Sequence, residues 1–235
     1  NRAKAKLLLQ PRLQAIADLV PAGGRLVDVG TDHAYLPAHL VGTGVCPSAI
    51  AADIRPGPLS RAAATVERTG LTGRIDLRLG DGLSPVRPEE TDDIVIAGMG
   101  GETIAAILAA ALWTQDGRYR LILQPMSRPE ELRRFLLRSG FAIESERIAR
   151  DGDRLYTVLC AAFSPASAAE QLARPACFYR GGVDAADPDG RAYLFHQAKR
   201  LEAAAIALQG AGQADKAESL LKVAGQLTAG LPSKY

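Results

Sequence analysis

Short apolar runs alternate with amphipathic segments along the first two thirds of this chain. The runs are rich in Val, Ile, Leu and Ala and are bounded by Gly, Pro and Asp, a pattern that predicts buried strands. The segments between them carry apolar residues at helical spacing, and this alternation is typical of an α/β protein. The predicted strands cover residues 25–29, 49–53, 75–79, 94–97 and 121–124, and the predicted helices cover residues 7–20, 35–41, 58–69, 102–112 and 129–139.

The predicted sheet ends with two longer β-type runs, residues 141–150 and 155–163, which an Asp-Gly pair joins. Asp-Gly between such runs is a strong hairpin signal. Strand–helix repeats followed by a hairpin predict a Rossmann-like, mostly parallel, doubly wound sheet with an antiparallel edge strand. Ligands of such sheets bind beyond the carboxyl ends of the strands, so functional residues are expected there.

The chain changes character after residue 163. A Ser/Pro/Ala-rich segment predicts a linker, and an Asp/Pro/Gly cluster predicts turns. Two helical stretches follow, over residues 191–209 and 214–227, and their short connection favours an antiparallel helical hairpin. We therefore predict two domains, residues 1–163, of which 1–22 form an N-terminal helical element, and residues 164–235.

The loop after the first predicted strand has the position of a nucleotide-binding loop but only one glycine, Gly30. A dinucleotide needs small residues there, because its pyrophosphate lies on the following helix N-terminus. Asp28 and Asp32 would repel a pyrophosphate, whereas they suit the sulfonium cation of S-adenosylmethionine. The loop therefore favours S-adenosylmethionine, although a plain strand-to-helix turn would show the same pattern.

The second and third predicted strands also end in carboxylates. Asp53 can accept hydrogen bonds from both hydroxyls of a ribose, although it could simply cap the next helix. Asp81, followed by Gly82, can reach an adenine amino group, although a plain turn is the competing explanation. Together with Asp28 these residues favour a methyltransferase, because a nicotinamide oxidoreductase would share only Asp53.

The fourth and fifth predicted strands end where a methyl acceptor would lie. Backbone carbonyls that could hold an amine are offered by Gly98, Met99, Gly100 and Gly101. The glycines are equally explained by a tight loop that requires positive φ. Gln124 offers an amide that could bind a base edge.

In the first loop, His33 either acts as a general acid or base or, as we favour, donates a hydrogen bond that fixes the loop. We expect Tyr35 to be buried on its helix face, with stacking on a base as the alternative.

Composition narrows the class further. The 235 residues are 47% hydrophobic with a net charge of +2, so neither disorder nor a strong field for nucleic acid is indicated. No signal peptide is recognisable, and the longest apolar run, residues 104–113, is too short to span a bilayer. Cys46, Cys160 and Cys177 lack metal-ligand spacing, which argues against a structural zinc and favours a reducing, cytoplasmic location.

Arginines are concentrated between the fifth predicted strand and the hairpin. We expect them to lie on a solvated helix face, with a phosphate-binding patch as the alternative. They are Arg128, Arg133, Arg134, Arg138, Arg147, Arg150 and Arg154.

Four motifs together resemble the bacterial tRNA (adenine-22-N1)-methyltransferase family. They are DVGTDHAYLP at 28–37, GDGL at 80–83, AGMGG at 97–101 and QP at 124–125. The resemblance covers about residues 7–163. It implies a class I methyltransferase fold, S-adenosylmethionine as the donor, and a coiled-coil-like C-terminal domain that helps hold tRNA. The chain departs from the family at Met126, where an asparagine is usual, and in its C-terminal part.

The resemblance thus implies an enzyme that methylates N1 of adenine 22 in tRNA, in the cytoplasm. This nitrogen has a free lone pair, so in-line positioning would supply most of the acceleration. A methyltransferase of another RNA or of a small molecule, and a catalytically silent relative that binds RNA, are the alternatives. We expect no metal or membrane partner, and the sequence leaves the oligomeric state open, with a monomer as one possibility.

Overall fold

The computed structural model describes residues 7–174 and 176–232. Seven strands form one sheet in the order β3-β2-β1-β4-β5-β7-β6. The strands are β1 Leu26–Val29, β2 Ala49–Asp53, β3 Ile75–Leu79, β4 Asp93–Gly100, β5 Arg120–Ser127, β6 Phe141–Asp151 and β7 Arg154–Phe163.

Strands β1 to β5 are parallel, and β7 runs antiparallel to both β5 and β6. The predicted α/β fold is therefore confirmed. The β6–β7 hairpin forms one edge of the sheet, where the antiparallel strand β7 lies between β5 and the outermost strand β6. The strand order reverses between β1 and β4, which lie side by side. The crevice beyond their carboxyl ends is where a doubly wound sheet binds its ligand.

Nine α-helices occur in the described residues. They are α1 Pro11–Ala17, α2 Tyr35–Thr43, α3 Pro56–Thr69, α4 Gly101–Ala110, α5 Pro129–Arg138, α6 Pro165–Leu172, α7 Cys177–Arg180, α8 Pro188–Gly210 and α9 Ala214–Thr228. None of these helices is long and apolar enough to cross a membrane.

Two helical predictions were wrong in detail. The helix predicted over 7–20 is only α1, because Pro11 occupies its first turn and holds Gln10 in an extended conformation. Residues 1–6 of the predicted N-terminal element lie outside the described residues. The predicted linker after residue 163 contains α6, since Pro165 suits a first helical position and the alanines that follow favour a helix.

Buried side chains cover both faces of the sheet. Val27 and Val29 face a cluster that includes residues of α4 and α5, whereas Leu26 faces a cluster built on α1, α2 and α3. Alternation along β1 places Asp28 on the same face as Leu26. The Asp28 carboxylate therefore lies on the face that α1 and α2 cover.

The helices after residue 187 form the predicted hairpin. Helices α8 and α9 pack on each other, and a third apolar cluster joins them to Ile148 and Leu155 of the β6–β7 hairpin. The C-terminal helices are therefore docked against the antiparallel edge of the sheet.

One arginine of the predicted solvated face is completely buried. Arg133 of α5 is paired with Glu146 of β6, and both side chains are 0% exposed. Arg133 also donates to the carbonyl of Phe178 at 3.0 Å and to the Tyr193 hydroxyl at 3.1 Å, while Glu146 accepts from the Gly182 amide at 3.0 Å. For Arg133 the prediction of a solvated position was wrong, because this ion pair connects α5, β6 and the C-terminal helices.

Candidate functional site

Two cavities meet at the carboxyl ends of β1 and β4. The first, of about 800 Å³, extends toward β2 and β3, and the second, of about 910 Å³, extends under α1 and the loop before α2. They share four lining residues, Gly30, Arg55, Ala97 and Gly98. A ligand longer than either cavity could therefore lie across the boundary at Gly30 and Gly98.

A buried carboxylate lines the second cavity. Asp28 is 8% exposed, and its burial raises the pKa of the carboxyl group to about 6. The Thr31 hydroxyl opposes this shift, whereas the Asp53 carboxylate adds to it. A buried carboxylate with a raised pKa is stabilised in its charged form by a cationic ligand.

Asp53 lies at the end of β2, in the wall of the first cavity. It is 6% exposed, and its Oδ1 accepts a hydrogen bond from the Arg55 backbone amide at 2.8 Å. Among the residues that the structure describes, no donor bonds to Oδ2. Asp53 therefore keeps acceptor capacity for a pair of hydroxyl groups.

Asp81 and Gly82 line the far end of the first cavity, beyond β3. Asp81 is exposed, and Gly82 has a φ of +54°. A Cβ atom on Gly82 would lie 3.0 Å from Ile107 Cγ2. The apolar wall of this cavity is formed mainly by Leu83, Val86, Ile107 and Trp113. This end of the cavity suits a flat apolar ring with a polar edge.

Two glycines with positive φ form the boundary between the cavities. Gly30 and Gly98 both have a φ of +78°, a conformation that other residues rarely adopt. A Cβ atom on Gly30 would lie 2.1 Å from Cε of Met99, so the Met99 side chain lies directly over this glycine. The boundary therefore depends on the absence of side chains at both positions.

Asp32, His33 and Tyr35 line the mouth of the second cavity. Asp32 is ion-paired with Arg61, which holds the pKa of its carboxyl below the usual value. Nε2 of His33 lies 3.5 Å from Oδ2 of Asp32, and its ring stacks on Tyr35 with centroids 5.0 Å apart. Tyr35 is 38% exposed, so the prediction that it is buried on its helix face was wrong.

The remaining predicted residues lie outside the lining of these two cavities. Gly100 is the last residue of β4, so the prediction that this strand ends at Ala97 was wrong, because its pairing with β5 continues past an irregularity at Met99. Gly101 begins α4 and packs against the carbonyl of Arg128. Gln124 is 0% exposed, and its Oε1 accepts hydrogen bonds from Arg12 Nη1 at 2.7 Å and from the Gly98 amide at 3.2 Å. Its amide nitrogen donates to the Pro125 carbonyl at 2.8 Å. The Gln124 amide is thus committed to bonds within the protein.

Several lining residues have no recognisable signal in the sequence. Arg12 belongs to a helix far from the motifs, and the apolar wall residues look like ordinary core positions. Arg55 could have been found, because it follows Asp53 by two positions in the loop after a strand. The pairing of Arg61 with Asp32 could not have been found from the sequence, since it depends on how α3 packs.

A third cleft, of about 1,150 Å³, lies between the end of β5, the β6–β7 hairpin and α8. Five of its lining residues are cationic: Arg128, Arg150, Arg154, Lys199 and Arg200. Asp153 is the carboxylate in its lining, and Tyr156, Phe195 and His196 add aromatic rings. Met126 also lines this cleft, with 42% of its surface exposed. The cleft combines the charges and the rings that favour single-stranded nucleic acid.

Comparison with known families identifies the sheet domain. A family model described as "Methyltransferase domain" matches residues 9–159. The "tRNA (adenine(22)-N(1))-methyltransferase" of Bacillus subtilis (strain 168) is 41% identical over 156 residues, which are 66% of this chain and 66% of the Bacillus protein.

Solved structures extend the similarity to the C-terminal helices. The B. subtilis m1A22 tRNA methyltransferase has a TM-score of 0.85 and 29% identity, over 94% of this chain and 99% of that one. A putative tRNA (m1A22) methyltransferase of Streptococcus pneumoniae, solved in complex with S-adenosyl-L-methionine, has a TM-score of 0.76 and 33% identity, over 91% of this chain and 100% of that one.

Proposed function

This chain belongs to the tRNA (adenine(22)-N(1))-methyltransferase family, and on that premise we propose that it transfers a methyl group from S-adenosylmethionine to N1 of adenine 22 in tRNA. One observation carries the proposal. Asp28 near the end of β1, Asp53 at the end of β2 and Asp81 just beyond β3 line two cavities that meet at Gly30 and Gly98.

The residues around the two cavities fit S-adenosylmethionine. Asp53 would accept hydrogen bonds from the ribose hydroxyls, and Asp81 with the apolar wall would hold the adenine ring. The buried Asp28 carboxylate would face the positively charged end of the donor, because a cation compensates its loss of hydration. When bound, the donor supplies an electrophilic methyl group.

The acceptor base would enter the second cavity beside Gly98. The lone pair of adenine N1 forms the new N–C bond, and the electron pair of the broken C–S bond stays on sulfur. No proton has to be removed before the attack, so the protein mainly orients the base and excludes water. The base becomes cationic, and the backbone carbonyls of residues 98–101, at the junction of β4 and α4, would stabilise that charge.

Gln124 and His33 would act on the site indirectly. Gln124 holds the Gly98 amide through its Oε1, so we assign it a role in positioning the loop rather than in binding the base. His33 would fix the donor loop, because it lies between the Asp32 carboxylate and the Tyr35 ring. Met99 and Gly100 complete β4, and Gly100 and Gly101 allow close packing against Ser127 and Arg128 at the end of β5.

We also propose that residues 164–235 form a C-terminal domain that binds tRNA through the cationic cleft. Arg128, Arg150 and Arg200 each pair with a carboxylate at 2.6–2.9 Å. Such partly exposed pairs contribute only about 0–1 kcal/mol, so phosphates can replace the carboxylates. Action on tRNA also implies a cytoplasmic location.

The proposal is tested by incubating the protein with labelled S-adenosylmethionine and bulk tRNA. We expect the label to be recovered as 1-methyladenosine after digestion to nucleosides. Recovery in a different nucleoside, or none with bulk tRNA, contradicts the proposal.

Donor binding should weaken in mild acid because of Asp28. Its carboxyl has a pKa of about 6 in the folded protein, so lowering the pH from 7 to 5 protonates it and raises the donor Kd by about tenfold. The effect of Asp28 on the stability of the folded protein has the opposite dependence on pH. Because the folded pKa lies above the ordinary value of 3.8, Asp28 contributes stability below pH 3.8 that is lost as the pH rises through about 6.

Calorimetric titration between pH 7 and pH 5 measures the first effect. The Asp28→Asn variant is the control, since Asp32 and His33 line the same cavity and stay in place. A donor Kd that still rises tenfold in this variant would assign the effect to another group.

A further inference from the structure

Arg12 of α1 stands apart from the other arginines of the site. Its side chain is half-buried and lines the second cavity, where its Nη1 bonds to Gln124 Oε1 at 2.7 Å. The same nitrogen would lie 3.8 Å from a Cβ placed on Gly98. Arg12 is therefore a cation directly beside the loop that holds the acceptor.

This cation has no ion-pair partner among the described residues. Within residues 7–174 and 176–232, no carboxylate lies within 4.0 Å of the Arg12 guanidinium, whereas Arg61 at the cavity mouth is paired with Asp32. A guanidinium has five N–H donors, and Arg12 uses one of them on Gln124. A half-buried cation with spare donors and no counter-ion indicates that an anion binds there.

A nucleotide that enters this cavity brings the matching anion with it. Adenine N1 is paired inside a duplex, so the target nucleotide must leave the helix stack together with its backbone phosphate. A guanidinium fork matches phosphate oxygens in a bidentate way. The base itself is the less suitable partner, because it gains a positive charge during the reaction and a neighbouring cation would oppose that change.

Building on the proposed function, we propose that Arg12 binds the backbone phosphate of the target nucleotide and, through Gln124, aligns that nucleotide with the Gly98 loop. Arg12 is thus a specificity-determining residue that senses an extruded nucleotide. Gln124 Oε1 accepts hydrogen bonds from both Arg12 and the Gly98 amide. Phosphate binding by Arg12 is therefore coupled to the position of Gly98.

Equilibrium binding of tRNA by Arg12→Ala, Arg12→Lys and the wild type tests this inference. We expect Arg12→Ala to weaken tRNA binding about tenfold or more, and to reduce the slope of log K against log salt by about 0.7–0.9, the value for one lost phosphate contact. Arg12→Lys should keep the wild-type slope but lose part of the affinity, since an ammonium lacks the fork.

The matched control is Arg118→Gln, which removes one positive charge just before β5, at the opposite end of the strand from the site. It should leave tRNA affinity within about twofold. The Tm of every variant should stay close to that of the wild type, which shows that they are folded.

An unchanged salt slope in Arg12→Ala overturns the inference, whether or not turnover falls, because Arg12 would then act only through Gln124. This readout needs no turnover, so it is separate from the proposed function. If the wild type fails to methylate tRNA, the proposed function fails. If it methylates tRNA and the Arg12 variants bind as the wild type does, only the inference fails.

Discussion

Replacing Glu146 by alanine should lower the free energy of unfolding by about 3–5 kcal/mol, because it leaves the Arg133 guanidinium buried without its carboxylate. Burial by itself lowers the pKa of Arg133, but the charge of Glu146 and the Tyr193 hydroxyl outweigh it and raise the pKa. The arginine therefore stays charged, so loss of a proton does not relieve the free-energy cost of burying it without Glu146. For a chain of this length the expected fall in Tm is roughly 6–20 °C.

Thermal and urea unfolding measure this effect, and two further variants identify its cause. The double variant Arg133→Met with Glu146→Leu should recover most of the loss, since neither charge remains buried. Glu89→Ala removes a carboxylate from an exposed pair with Arg87 and should cost at most about 1 kcal/mol. If Glu146→Ala were as mild as Glu89→Ala, the buried pair would not hold the C-terminal helices in place.

The second large effect is expected at Asp53. Replacing it by alanine should raise the donor Kd about a hundredfold, because two hydrogen bonds from hydroxyls to a carboxylate together contribute about 3 kcal/mol. An asparagine side chain at this position would keep one acceptor oxygen, so Asp53→Asn should raise the donor Kd only roughly tenfold. Titration calorimetry with S-adenosylmethionine measures both values.

The control for this series is Asp76→Ala on the neighbouring strand β3. Asp76 is 60% exposed and pairs with Arg78 outside both cavities. Its replacement should leave the donor Kd within about twofold. If Asp53→Ala changed the donor Kd as little as Asp76→Ala does, Asp53 would not bind the ribose of the donor.

The sheet could be predicted from the sequence because its signals are local. The bounds of β2 and β3 agree with the prediction to the residue, since β2 is mostly apolar, β3 alternates apolar and charged residues, and a turn follows each. The linker prediction at 164 was wrong for a local reason as well. Proline and serine usually mark a break in secondary structure, whereas Pro165 begins α6.

The contacts that complete the site could not be predicted in this way. The bond between Arg12 and Gln124 joins residues 112 positions apart, and the burial of Arg133 depends on a carboxylate in another element. Helical spacing predicts which face of a helix is apolar, but it does not predict that a charged residue on that face finds a partner. The carboxylates at the strand ends were predictable, because parallel strands bring their carboxyl ends together.

Mapping the methyl group on a single tRNA tests the central claim most directly. Two transcripts of one tRNA, identical except for adenine or guanine at position 22, would be incubated with the wild-type protein and S-adenosylmethionine. We expect 1-methyladenosine at position 22 of the first transcript and no methyl incorporation into the second. Equal methylation of both transcripts, or a methyl group at another position, would contradict the account.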